Sequence, residues 1–261
     1  MYANPYRWWN LIIFGVMTAV YVVVANLVAT KDVISLISVP MESWLAPVQY
    51  VLYIWGLIYV LLLGYTIYQL RRSTRTRDSV RRIGPWFILY SACTSVWVVA
   101  WYYEWIIWTF VLGLMMFITA YAIYSRSRQS NERIRTGERL FVYWPFSFLL
   151  SWQLLITLMN LSIVLELSTW SKFGLEADSW AIILLLFACV FAIVIGFAYR
   201  DGAYMLVFVW TSVGIAANWR TVDTSGIVWM VAATTGIIVL LLMVIMLIRT
   251  KINRRLRLRF K

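Results

Sequence analysis

Long apolar runs, separated by short polar stretches, make up most of this chain. Eight of these runs are about 20 residues long, which matches the ~30 Å hydrocarbon core of a bilayer at 1.5 Å rise per helical residue. A single span satisfies its own backbone hydrogen bonds only as a helix, so the runs predict an all-α integral membrane protein, a helical bundle of about eight transmembrane helices. The predicted spans are Trp9–Ala29, Ala46–Leu70, Gly84–Tyr103, Trp105–Tyr124, Leu140–Leu165, Asp178–Tyr199, Tyr204–Trp219 and Ile227–Ile248.

Two features of the runs affect the number of spans. The connector Arg200–Gly202 is short enough for the sixth and seventh runs to form a re-entrant hairpin instead of two full crossings. Arg7 is the only charged residue before the first run, and no small-residue cleavage site follows the run. We therefore expect a retained helix and not a signal peptide.

The distribution of charge predicts the orientation. Hydrophobic residues make up 63% of the chain and charged residues 13%. Twenty of the 23 lysines and arginines lie near the two termini or in the loops that an eight-helix topology puts on the same side. By the positive-inside rule, we expect a multi-pass protein of the cell membrane with both termini in the cytoplasm.

The basic C-terminal tail accounts for part of the net charge of +12. Arg254, Arg255, Arg257 and Arg259 directly follow the last apolar run. Such a segment could bind an RNA backbone, but next to a membrane span it favours an anchor on anionic lipid. The sequence therefore predicts a lipid contact and no nucleic-acid partner.

Residue types that are absent narrow the chemistry. The chain has no histidine, so it lacks the commonest haem ligand and the commonest imidazole base. Cys93 and Cys189 lie inside separate spans without a CxxC pair, and no glycine-rich phosphate loop is present. We predict no catalytic residue, no bound metal and no cofactor.

Two stretches carry a family resemblance. The first is Trp44-Leu-Ala-Pro47-Val-Gln-Tyr50, followed by Trp55 and Tyr59. The second comprises Pro145-Phe146, Trp152 and Asn160 in the fifth span. Their order and spacing resemble the translocator protein and tryptophan-rich sensory protein (TspO/MBR) family.

This resemblance implies a five-helix membrane domain over residues 1–165. Residues 166–248 would add three further transmembrane helices, and residues 249–261 would form a basic cytoplasmic tail. The family resemblance also implies a hydrophobic planar ligand, either a porphyrin-like tetrapyrrole or a sterol-like or lipid-like molecule. Light-dependent tetrapyrrole degradation is an activity proposed in the family, so an enzymatic role stays open.

Helical spacing predicts that several of the motif residues lie on shared helical faces. Trp55 and Tyr59 share one helical face at i, i+4, as do Trp97 and Trp101. We expect these aromatics and Trp152 to line a cavity, with Trp44 and Pro47 as a lid and Asn160 orienting the ligand. The complete candidate ligand site is Trp44, Pro47, Tyr50, Trp55, Tyr59, Trp97, Trp101, Pro145, Phe146, Trp152 and Asn160.

Other interpretations fit the same pattern. Aromatic pairs at i, i+4 also serve helix packing alone. A transporter for such ligands is one alternative, and Pro145 is the one place in the spans where the sequence suggests a helix break. A non-catalytic subunit, as a homodimer or docked on another membrane protein, is another.

Overall fold

The computed structural model describes residues 4–30, 43–74, 76–130, 132, 134–168, 171–222 and 226–259. These residues form helices joined by turns, and no strand occurs among them. The helices are α1 (Arg7–Thr30), α2 (Ile54–Tyr68), α3 (Asp78–Arg81), α4 (Trp86–Tyr102), α5 (Ile106–Arg128), α6 (Thr136–Glu138), α7 (Trp144–Leu167), α8 (Ala177–Tyr199), α9 (Gly202–Val222) and α10 (Ile227–Arg259).

Every predicted apolar run coincides with a helix, which confirms an all-α integral membrane protein. Seven helical segments of the described chain are long and apolar enough to span a membrane. The helix of the third predicted span, α4, has 17 residues and is shorter than these seven segments. Helices α8 and α9 have 23 and 21 residues, so each is long enough to cross.

The connection between α8 and α9 is a tight turn. Arg200 adopts a left-handed conformation with φ 52° at the C-terminal end of α8. The backbone N–H groups of Ala203 and Tyr204 both donate to Asp201 Oδ1 at 3.1 Å. The Asp201 carboxylate therefore caps the first turn of α9, where backbone N–H groups have no helical partner.

The second predicted span begins later than the sequence indicated. Its first helical turn is a 3₁₀ turn at Gln49–Tyr53, and α2 proper begins at Ile54. Pro47 therefore precedes the helix instead of occupying its first turn, which corrects the sequence prediction. The physical reason is that this part of the backbone is hydrogen-bonded to another helix, as described below.

Contacts divide the chain into two compact units. The first comprises Met1–Ser43 and Tyr53–Thr169, and the second comprises Trp44–Leu52 and Trp170–Lys261. The nine residues Trp44–Leu52 thus belong with the C-terminal helices, although they lie within the N-terminal part of the sequence.

Helix α7 is the centre of the first unit. It packs against α5 and α2, while α4 packs against α5 and α1. Every side chain from Ser151 to Asn160 is buried. An apolar helix without a polar face is expected at such a central position.

A π-helical turn at Arg139–Tyr143 leads into α7. Pro145 follows this turn at the start of α7. Helix α6, the π turn and α7 are consecutive from Thr136 to Leu167, so the missing N–H of Pro145 lies inside a longer helical segment, where proline disturbs the hydrogen-bond ladder. The irregularity that the sequence suggested near Pro145 is therefore a π turn within a continuous helical segment.

An ion-pair group joins two loops of the first unit. Arg77 contacts the carboxylates of Glu132 and Glu138, and the Ser79 hydroxyl also donates to Glu138. Glu138 is only 1% exposed, so its charge needs these partners. Burial lowers the pKa of Arg77, but the hydrogen bond and charge of Glu138, together with the charge of Glu132, outweigh burial and raise it.

In the second unit, α9 packs against α10, and both helices contact α8. Small residues allow close approach between these helices, as is common in membranes. A Cβ atom added at Gly236 of α10 would lie 3.2 Å from Ser212 Cβ of α9.

Candidate functional site

Trp55 is the hub of a group of aromatic rings in the first unit. Its ring centroid lies 6.2 Å from that of Trp97, 5.8 Å from that of Trp152 and 6.5 Å from that of Tyr59. Trp97 in turn contacts Trp101 at 5.8 Å. We call these five residues the aromatic cluster.

Three helices supply the aromatic cluster, namely α2, α4 and α7. Both i, i+4 pairs identified in the sequence are in ring contact. Trp152 meets Trp55 nearly edge to face at 86°, an arrangement that the charge distribution of aromatic rings favours. The structure thus brings together all five residues that the sequence predicted as walls of a cavity.

Two further aromatic residues from α1 border the aromatic cluster, and the sequence analysis missed them. The rings of Phe14 and Tyr21 lie 6.1 Å and 5.5 Å from that of Tyr59. These two residues are seven positions apart, so they share one face of α1 over two turns. That spacing was the available signal, but it is ordinary in a membrane helix.

Several buried hydrogen-bond donors without a described partner lie in the aromatic cluster. The indole N–H groups of Trp97, Trp101 and Trp152 are buried without a hydrogen-bond partner among the described residues. The hydroxyl of Tyr59 is likewise buried without a hydrogen-bond partner among these residues. An unsatisfied buried polar group costs about 1–3 kcal/mol, and buried indole and phenol groups usually find partners.

Asn160 lies near the cluster in sequence but bonds to a neighbouring helix. Its amide donates to the Thr109 carbonyl of α5 at 3.4 Å, and Asn160 is buried. Two turns earlier on α7, Gln153 donates to the Gly113 carbonyl at 3.4 Å and accepts from the Tyr90 hydroxyl at 3.3 Å. Asn160 and Gln153 therefore join helices, and an orienting role for Asn160 stays a prediction.

Phe146 belongs to a second group of rings. Its centroid lies 4.8 Å from that of Tyr65 and 6.4 Å from that of Phe87. The described ring contacts of the aromatic cluster do not include it. Pro145 and Phe146 are both buried at the start of α7, whereas Trp152 is two turns further along.

Trp44, Pro47 and Tyr50, the candidate lid and loop residues, belong to the second unit. Trp44 stacks on Trp180 at 6.2 Å, and Tyr50 meets Trp210 edge to face at 5.5 Å. Pro47 lies beside Gly214 of α9. The lid function of this segment stays a prediction.

Other chemistry is sparse in the described part of the chain. No group of three or more histidine, cysteine, aspartate or glutamate residues that could hold a metal ion occurs there. Cys93 and Cys189 are buried free thiols. What the aromatic cluster offers is flat apolar surface with N–H and O–H donors.

Comparison with known proteins identifies a family for this aromatic-rich helical bundle. Comparison with curated proteins and with solved structures finds no match. A family model described as TSPO-like protein matches residues 7–248, a range that includes α8 and α9 and so extends beyond the motif-bearing segment. Because this match covers nearly the whole chain, the protein belongs to the TSPO-like protein family.

Proposed function

We propose that this protein is a membrane receptor or sensor that binds a hydrophobic planar ligand in the aromatic cluster. The observation that carries the proposal is a set of four buried donors, on Tyr59, Trp97, Trp101 and Trp152, that find no partner among the residues that the structure describes. In a hydrocarbon environment no bulk water can satisfy them. A ligand that carries oxygen acceptors would accept hydrogen bonds from these donors.

Ring geometry supports a flat ligand. Centroid separations of 5.8–6.5 Å around Trp55 place several aromatic faces within a small volume. Indole faces stack on planar, polarisable molecules, and the burial of apolar area contributes about 25 cal/mol per Å². The combination suits a ligand with a flat apolar body and a polar edge.

Two ligand classes combine a flat apolar body with a polar edge. A porphyrin-like tetrapyrrole has a planar ring and carboxylate groups, and a sterol-like molecule has a flat body and one hydroxyl. Since the chain has no histidine, a tetrapyrrole would bind through its ring face and acid groups and not through an axial imidazole. Four donors favour the tetrapyrrole, whose carboxylates accept several hydrogen bonds.

We also infer the orientation in the membrane from charge. Twenty of the 23 basic residues fall on the side of the two termini, which places both termini in the cytoplasm of a cell-membrane protein. The basic residues at the C-terminal end of α10 would then lie on anionic lipid of the inner leaflet.

Quenching of intrinsic tryptophan fluorescence by protoporphyrin IX tests the proposal. We expect saturable quenching of the detergent-purified protein. Trp152→Phe keeps a buried aromatic ring but removes the N–H, and a lost hydrogen bond to a charged group, about 1.5–3 kcal/mol, should raise Kd by about 10- to 100-fold. Trp105→Phe, at a residue 53% exposed and outside the cluster, is the matched control.

Two outcomes would contradict the proposal. Linear quenching without saturation would mean that the porphyrin only partitions into detergent. Saturable quenching with the same Kd in Trp152→Phe, Trp105→Phe and the parent would mean that the ligand binds elsewhere and that the aromatic cluster serves packing.

A further inference from the structure

The segment Trp44–Val51 is bound along one face of α9, and we call it the strap. Three α9 side chains donate to strap carbonyls: Trp219 Nε1 to Trp44 at 3.1 Å, Asn218 Nδ2 to Ala46 at 2.9 Å and Trp210 Nε1 to Val51 at 3.4 Å. One strap N–H, that of Val48, donates to the Gly214 carbonyl at 3.2 Å. Residues of an isolated loop would leave these groups to water or unsatisfied.

The contacts follow a regular register. As the strap runs from Trp44 to Val51, its partners run backwards along α9 from Trp219 to Trp210. Trp210, Gly214 and Asn218 are spaced four residues apart, so they lie on one helical face. The strap is therefore seated antiparallel on a continuous stripe of α9.

Gly214 makes this close approach feasible. A Cβ atom at position 214 would lie 2.1 Å from Val51 Cγ2 and 3.3 Å from Pro47 Cβ. Glycine inside a helix is less favourable than alanine, so its presence here calls for a packing reason. The strap provides that reason.

Side-chain contacts hold the N-terminal end of the strap. Trp44, which is 4% exposed, stacks on Trp180, and Lys172 Nζ lies 5.3 Å from the Trp44 ring centroid. A lysine ammonium over an indole face is attracted by the negative face of the ring. The C-terminal unit thus holds the strap through both its backbone and its rings.

We propose that the C-terminal helices are a clamp for the strap, and that Trp210, Gly214, Asn218 and Trp219 are positioning residues for ligand binding. The strap continues directly into the helix that carries Trp55 at its second position. A clamped strap therefore restrains the start of α2 through the chain itself. The ligand-binding part of this inference rests on the function proposed above.

Complementary substitution at the closest contact tests the clamp. The reporter is Ala46→Cys in a background with Cys93→Ala and Cys189→Ala, because Ala46 is buried and contributes its backbone carbonyl to the clamp. Gly214→Ala should release the strap and raise maleimide labelling at position 46 about tenfold or more, since labelling follows the open fraction of a segment. Adding Val51→Ala removes the clashing methyl group and should restore slow labelling.

Gly236→Ala is the matched control, because it adds a methyl group to the α9–α10 contact away from the strap. If Gly214→Ala leaves labelling unchanged, or if Val51→Ala does not reverse its effect, the clamp is overturned. Equal labelling in Gly236→Ala and Gly214→Ala would also overturn it, because general loosening would then explain both.

Protoporphyrin IX quenching of the same variants, with position 46 kept as alanine, tests the link to the ligand. We expect Kd to rise about three- to tenfold in Gly214→Ala and to return in the double variant, as in other systems where a released segment lowers the binding-competent fraction. An unchanged Kd beside a released strap would overturn the positioning role. If the parent protein shows no saturable binding, the proposed function fails, and the labelling result alone decides the clamp.

Discussion

Tryptophan indoles have opposite environments in the two units of this protein. In the C-terminal unit, Trp210 and Trp219 donate their N–H groups to carbonyls of the strap. In the aromatic cluster, the N–H groups of Trp97, Trp101 and Trp152 are buried without a partner in the part of the chain that the structure describes. Tryptophan N–H groups therefore join two segments in the C-terminal unit, whereas in the aromatic cluster they stay available to the proposed ligand.

This difference separates two explanations of tryptophan inside membrane helices. Where the N–H is paired, the tryptophan supplies a hydrogen bond between segments, and its substitution leaves the acceptor carbonyl without that donor. Where the N–H is unpaired, the protein carries a cost that a ligand could offset. Hydrogen-bond status, rather than burial or helical spacing, distinguishes the two roles.

The sharpest way to break the comparison is to remove one N–H from each region. Trp219→Phe leaves the Trp44 carbonyl without its donor and should destabilise the protein by about 1–3 kcal/mol. Trp152→Phe strands no acceptor, so in the absence of ligand it should cost less. Thermal unfolding in detergent, with Trp105→Phe as the exposed control, measures both; equal losses would show that the N–H of Trp152 is also paired.

Asparagine allows the same comparison with a smaller expected difference. Asn218 donates to Ala46, whose carbonyl lies outside any helix, whereas Asn160 donates to Thr109 within α5. Asn218→Leu should therefore cost about 1–2 kcal/mol and Asn160→Leu less than about 1 kcal/mol, in line with polar contacts measured in membranes. The midpoint of unfolding by a denaturing detergent reports the difference, and a larger loss for Asn160→Leu would reverse the assignment.

The smallest expected effect sharpens the description of the ligand. Tyr59→Phe removes a buried hydroxyl that has no partner among the described residues, so the stability of the ligand-free protein should be unchanged or higher. If the ligand accepts from this hydroxyl, protoporphyrin IX should bind about five- to tenfold more weakly, the usual value of one hydrogen bond. Unchanged binding in a stable variant would remove Tyr59 from the donors that the ligand uses.

Much of the fold was predictable because membrane helices follow apolar run length. Each predicted run has its helix, and the pairs Trp55–Tyr59 and Trp97–Trp101 are in contact as helical spacing requires. Spacing within a helix is a local property, so the sequence shows it directly.

The strap was not predictable in this way. Trp219 and Trp44 are 175 positions apart, and nothing near either residue indicates that they meet. The predicted span Ala46–Leu70 included Pro47, but Ala46 and Val48 make backbone hydrogen bonds to α9 and precede the first helical turn. Pairing between distant segments depends on tertiary packing, and so does the unpaired state of the indoles.

Helix α4 has a consequence for the lipid around it. Its 17 residues span about 26 Å, which is shorter than the ~30 Å thickness of an average hydrocarbon core. Leu89 and Val96 are 43% and 53% exposed, so this helix faces acyl chains. A short span is accommodated by local thinning of the bilayer, by snorkelling of flanking residues or by oligomerisation. Local thinning at this helix would bring the headgroup region closer to Trp101, near the C-terminal end of α4, and so to the aromatic cluster.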